Sequence, residues 1–101
     1  LVLAHAFYES DSAVEKLTSA DFKSKVVDSE DAWFIEFYAP WCGHCKNLAP
    51  EYEKFAKAAK GFIRVGAVDM TTDQEAGAAY GIKGFPTLKF FGIEKENPID
   101  Y

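Results

Sequence analysis

Trp33-Phe34-Ile35-Glu36-Phe37-Tyr38-Ala39-Pro40-Trp41-Cys42-Gly43-His44-Cys45-Lys46 changes character halfway along, and that change decides the fold. Its opening run is apolar except for Glu36 and rich in aromatic and β-branched side chains, the composition of a central strand buried on both faces. Ala39-Pro40-Trp41 ends the run, because proline cannot donate to a central ladder. From about Cys42 to Lys60 the period becomes helical. Leu48, Tyr52, Phe55 and Ala59 recur at spacings of four, three and four, with lysines and glutamates on the opposite face. Pro50 lies inside this helix and predicts a kink, since it cannot donate to the Lys46 carbonyl.

Working outward, Val14 to Leu17 reads as a short edge strand. Thr18 or Ser19 then caps a helix through Asp28, with Phe22, Val26 and Val27 facing inward. Downstream, Gly61 is a suitable helix terminator. Phe62 to Asp69 reads as a second central strand, Asp73 to Tyr80 as a short helix ended by Gly81, and Thr87 to Phe91 as a further strand. Pro98 to Tyr101 begins one more. The order β-α-β-α-β-α-β-(β) predicts an α/β sandwich with a mixed sheet. Residues 8–13 are polar and acidic and read as a disordered lead-in. Ahead of them, three aliphatic residues and Ala4-His5-Ala6 resemble the tail of a secretory signal with its A-x-A cleavage site. Residues 1–13 are thus a signal remnant or a flexible lead-in, and residues 14–101 one domain.

The bulk properties agree with a single small unit. The chain has 101 residues, of which 49% are hydrophobic and 16% aromatic, enough for one packed core. A net charge of −5 argues against nucleic acid and anionic membrane surfaces as partners, since both call for basic patches. No apolar stretch is long enough to span a bilayer.

The chemistry concentrates in Trp41-Cys42-Gly43-His44-Cys45-Lys46, which follows a buried strand and opens an amphipathic helix. Unsatisfied backbone N–H groups and the macrodipole at a helix N-terminus favour negative charge. A thiol there ionises more readily, and the thiolate is the nucleophile of disulfide exchange. Cys42, outermost, is the candidate nucleophile. Cys45, one turn inward, is the candidate resolving thiol. Gly43 is expected to permit the tight geometry, and the His44 ring to stabilise the thiolate relative to the disulfide. Two blander readings compete. Half a zinc site would need four ligands, and the only other histidine is His5. A structural staple would close too small a loop to remove much unfolded-state entropy.

Glu36 reads either as a carboxylate on an exposed strand face or as a buried acid. Its apolar flanks favour the second, and a buried glutamate with a raised pKa can exchange a proton with Cys45. Gly84-Phe85-Pro86-Thr87 places a proline where a strand begins. Pro86 is either an ordinary strand-edge proline or part of a cis turn, and sequence alone does not fix the isomer.

Glu36-Phe37-Tyr38-Ala39-Pro40-Trp41-Cys42-Gly43-His44-Cys45-Lys46 closely resembles the catalytic domain of protein disulfide isomerases, and Tyr80-Gly81-Ile82-Lys83-Gly84-Phe85-Pro86-Thr87-Leu88 resembles its second signature. The match runs from about Val14 to the chain end, and Val65-Gly66-Ala67-Val68-Asp69 looks most like the smaller isomerases with tandem catalytic domains. The resemblance implies a thioredoxin fold, a three-layer α/β/α sandwich around a mixed sheet. It implies a cis Phe85–Pro86 bond packed against the cysteines, substrate contact at Trp41, Phe85 and Pro86, and Glu36 as the proton-transfer group. It further implies a thiol–disulfide oxidoreductase and isomerase of the endoplasmic reticulum lumen, using a redox-active Cys42–Cys45 disulfide and no metal or organic cofactor. The expected partners are unfolded or misoxidised secretory proteins, with glutathione or an upstream thiol oxidase.

Three departures accompany the resemblance. Ala67 stands where the family often has a lysine near the buried glutamate, which should leave the Glu36 pKa higher. The chain stops before the family's final helix and mobile arginine, so one sheet face should be exposed. The sequence as it stands carries no C-terminal retention tetrapeptide, so it reads as a fragment of a longer, multi-domain protein. Two alternative functions stay open: a thioredoxin-type reductase, and a chaperone-like module that holds unfolded chains on the apolar surface around Trp41 and Phe85.

Overall fold

The apolar run does form the central strand, β2 (Trp33–Tyr38), in a computed structural model that describes residues 7–101. Around it lie β1 (Glu15–Leu17), a π-helical segment (Lys23–Val27), α1 (Gly43–Ala59), β3 (Arg64–Asp69), α2 (Gln74–Gly77), a 3₁₀ turn (Ala78–Tyr80), β4 (Thr87–Phe91) and β5 (Ile99–Asp100). The sheet order is β1-β3-β2-β4-β5. β1, β3 and β2 run parallel, and β4 and β5 add antiparallel to the other edge. The mixed sheet is thus the expected one, and the signal-like reading of residues 1–6 lies outside the described residues.

Alternation along β2 sorts the core into two faces, because successive strand side chains point to opposite sides. Trp33, Ile35 and Phe37 pack with Leu17, Phe22, Val26, Val68, Ala76 and Phe91. Tyr38 and Phe34 lie in the other cluster, with Val65 and Ala67 of β3 and with Cys42, Cys45, Tyr52 and Ala56 from α1 and its N-cap. Glu36 shares this second parity. Its register partners are Ala67 on β3 and Leu88 on β4.

Several expectations are corrected. Residues 8–13 are not a loose lead-in: Tyr8 is only 3% exposed and belongs to the α1-side core. A turn from Glu9 to Ser12 and a 2.9 Å bond from Ser12 Oγ to Glu53 on α1 pin the segment down. Neither Thr18 nor Ser19 caps a helix with its side chain. Instead the Thr18 N–H donates to Asp21 Oδ1 at 2.7 Å, and the segment closes as a π-helical turn that still buries Phe22 and Val26. Phe62 precedes β3 rather than opening it and is 87% exposed. Phe55, expected in the core, is 38% exposed. With Phe34, Leu48, Tyr52, Leu88 and Tyr101 it lines an open apolar cleft of about 250 Å³ beside α1. Pro50 lies within α1 without ending it.

Candidate active site

The strand-to-helix junction places the two cysteines in unlike surroundings. Cys42 is the N-cap of α1, with extended backbone angles, and its Sγ accepts the Cys45 N–H at 3.3 Å. That bond satisfies one of the donors that every helix start leaves without a partner. Cys42 lies at the rim, 7% exposed, whereas Cys45 is fully buried. Neither is bridged in the structure.

Electrostatics widen the difference. The Cys42 pKa is lowered, chiefly by a hydrogen bond from the Cys45 side chain and further by the backbone N–H groups of Cys45 and His44, against the opposing effects of desolvation and the Glu36 charge. Burial, the bond to Cys42, and the nearby Cys42 and Glu36 charges push the Cys45 thiol up to about 12. One thiol is primed to ionise and the other to keep its proton.

His44 is solvent-exposed, and its backbone N–H donates to the Cys42 sulfur. The expected role of Gly43 is corrected. Its φ is not positive, and a Cβ built there meets nothing within 4 Å, so the turn does not require glycine. The residue leaves open space beside Cys42.

Phe85 and Pro86 approach from the β4 side. The Cys42 thiol donates to the Phe85 carbonyl at 3.5 Å, and the Phe85–Pro86 bond is cis, as the resemblance implied. Trp41 is 69% exposed and meets the Phe85 ring edge-on at 5.9 Å. An apolar shelf therefore lies beside the rim sulfur.

Glu36 is fully buried on the same sheet face. Burial raises its pKa from 4.5 to about 7, against the opposing effect of a hydrogen bond from the Tyr8 hydroxyl. With Ala67 opposite, no cation among the described residues offsets the burial. The Tyr8 hydroxyl donates to Glu36 Oε1, while Oε2 has no partner among the described residues.

Sequence reading missed Tyr8, because it sits 28 residues from its partner in a segment with no period of its own. The only signal was the aromatic pair Phe7-Tyr8 ahead of an acidic stretch. Among the described residues no cluster of three His, Cys, Asp or Glu is arranged to hold a metal, and His5 lies outside them.

Comparison with known proteins gives the site its setting. The thioredoxin family profile matches residues 13–101. The chain is 57% identical over 94 residues to the protein disulfide-isomerase A6 homolog of Caenorhabditis elegans, covering 93% of this chain and 21% of that protein. It is 46% identical over 97 residues to human protein disulfide-isomerase A6, covering 96% of this chain and 22% of that one. It thus spans about a fifth of the length of these curated relatives. Among solved structures, the J-Trx1 fragment of ERdj5 aligns with a TM-score of 0.83 at 33% identity, covering 94% of this chain and 46% of that one. The first thioredoxin domain of mouse protein disulfide-isomerase A4 aligns at 0.79 and 38%, covering 92% and 66%. A β1-β3-β2-β4-β5 sheet, a cysteine pair opening the helix after β2 and these matches lead to one conclusion: the chain has the thioredoxin fold and belongs to the thioredoxin family.

Proposed function

We propose that this chain is the catalytic domain of a thiol–disulfide oxidoreductase and isomerase acting on protein substrates. The observation that carries the proposal is the asymmetry of the two thiols, one acidified at the helix cap and one buried and kept protonated. In the oxidised state a substrate thiolate attacks Cys42 Sγ and opens the Cys42–Cys45 disulfide. A second substrate thiolate then attacks the mixed disulfide, leaving a substrate disulfide and a reduced pair. In the reduced state Cys42 attacks a wrong substrate disulfide and permits reshuffling. Cys45 releases the enzyme when the substrate stalls, with Glu36 taking the Cys45 proton.

Trp41, Phe85 and Pro86 form the surface on which an unfolded segment lies next to Cys42. The Cys42–Cys45 disulfide is the only redox group the cycle needs. The substrates are unfolded or misoxidised secretory proteins. Glutathione or an upstream thiol oxidase takes up the electrons, and the setting is the endoplasmic reticulum lumen. Support for that setting comes from the kinship with disulfide isomerases and from an exchange chemistry suited to a compartment poised at about −180 to −210 mV.

The test is the Cys42–Cys45 redox equilibrium in defined glutathione buffers, read by alkylation and mass shift. A potential near the isomerase value of about −180 mV supports a disulfide donor and shuffler. One near thioredoxin's value of about −270 mV makes the chain a reductase instead. Full client protection by a Cys42→Ser/Cys45→Ser double variant, without any exchange activity in the parent chain, would leave only the chaperone-like reading.

A further inference from the structure

Glu36 Oε1 accepts from a tyrosine delivered by the segment that precedes the first strand. That segment is built to hold the tyrosine in place. The Phe7 ring stacks on Tyr38 at 4.5 Å, and Tyr8 meets Tyr38 edge-on at 5.7 Å and Tyr52 at 6.1 Å. Ser12 anchors the far end to Glu53 on α1. We propose that Tyr8 is a positioning residue for the resolving step, whose hydroxyl holds Glu36 through Oε1 and leaves Oε2 to exchange the Cys45 proton. The inference rests on the reading of Glu36 as that proton acceptor.

The surroundings of Glu36 leave few other groups to tune it. On β2 itself stands Tyr38, and from α1 come Cys42, Cys45 and Tyr52, all of which feel the Glu36 charge. From β3 and β4 the facing residues are Ala67 and Leu88, which carry no charge. Among the described residues, Tyr8 is the one group whose hydrogen bond favours the carboxylate. A phenol suits this position better than an ammonium would. It is neutral, so it restrains the rise in the Glu36 pKa without fixing the carboxyl in its charged form. Burial raises the Tyr8 pKa further, so the phenol remains a donor throughout.

The step it serves is balanced as follows. Glu36 carboxylate takes the proton from the Cys45 thiol, and the Cys45 thiolate attacks Cys42 Sγ of the mixed disulfide. The Cys42–substrate S–S bond breaks, the Cys42–Cys45 S–S bond forms, and the substrate sulfur leaves as a thiolate with the electron pair. The Glu36 proton then passes to solvent or to that thiolate.

The experiment forms the Cys42–glutathione mixed disulfide on the reduced chain. Glutathione release by Cys45 is then followed from pH 5 to 9 by rapid acid quench, alkylation and mass. The parent chain should show an inflection near 7, where Glu36 ionises. Tyr8→Phe should move it up by about one pH unit, roughly tenfold in the proton equilibrium, because a bond to a carboxylate has been removed. Release at neutral pH should then be several-fold slower, and the two profiles should converge at high pH. Glu36→Gln should abolish the inflection. Replacing Tyr8 by 3,5-difluorotyrosine, a stronger donor of the same shape, should move the inflection down, and it carries the test alone if Tyr8→Phe does not fold. A profile lost in Glu36→Gln but unmoved by either Tyr8 change overturns the Tyr8 proposal only. A profile unmoved by Glu36→Gln overturns the Glu36 reading and the Tyr8 proposal with it. A purely structural role would slow release equally at every pH, and that outcome also overturns the proposal.

Discussion

Cys42 and Cys45 are one helical turn apart, yet the fold gives them opposite acid–base behaviour. A cap sulfur receives the Cys45 N–H, while Cys45 itself is buried in the first turn of α1. Cys42→Ser should therefore abolish exchange. Cys45→Ser should accumulate mixed disulfides on Cys42, read by non-reducing mass analysis after acid quench. Trapped species on Cys45 in the Cys42→Ser chain would reverse the two roles. Glu36 makes a second residue-level prediction. Its folded-state pKa of about 7 lies above its ordinary 4.5, so the folded state binds this proton more tightly than the unfolded chain does. Stability is then lost as pH rises from about 4.5 to 7 and levels off above that. The full effect is on the order of 3 kcal/mol, from the size of the shift. Glu36→Gln, which cannot ionise, should show a gain in urea midpoint relative to the parent at pH 8 that shrinks at pH 5. Equal differences at both values would mean that Glu36 is not buried as a neutral acid. Glu36 was recognisable in the sequence because only one polar residue interrupts Trp33–Tyr38. Tyr8 was not, since nothing local marks a tyrosine whose partner arrives by tertiary packing.

At the scale of elements, β2 and α1 were readable because each has a strong period and clear punctuation. The weaker elements were decided by their neighbours. Asp21 accepts the Thr18 N–H, and the expected helix is a π-helical turn over Lys23–Val27. Phe62 keeps the chemistry of a strand residue, but the turn closed by Phe62 and Ile63 N–H donation to the Ala59 carbonyl leaves it outside. Strand packing is tight where small residues allow it. A Cβ at Gly66 would lie 2.7 Å from Leu17 Cδ1, 3.0 Å from Trp33 Cζ3 and 3.2 Å from the Glu15 carbonyl. Gly66→Ala should therefore separate β1 from β3 and cost about 1–3 kcal/mol, as overpacking generally does. Denaturant titration of the variant checks this, and an unchanged midpoint would mean that Leu17 and Trp33 relax freely. Gly43→Ala, in open helical surroundings, should not lower stability.

For the whole molecule, the segment before β1 belongs to the domain. Deleting residues 1–13 removes Tyr8 and opens the α1 face above Glu36 to water. The expected loss is about 3 kcal/mol or more, the usual cost of removing a large buried aromatic side chain. The pH dependence of stability should flatten at the same time, as Glu36 regains water. Thermal melts of the shortened chain at pH 5 and pH 8 measure both effects, and retention of the parent's stability and pH slope would return the segment to the status of a loose leader. The sequence by itself determined the strand–helix junction, the dithiol at its tip, the buried acid within the strand and the mixed α/β plan. Each of these rests on local composition and periodicity. Tertiary structure alone decided how far the two thiols diverge, how far Glu36 is raised and that Tyr8 holds it. Those properties depend on desolvation and on partners distant in the chain, and both exist only once the lead-in, β2 and α1 have packed together.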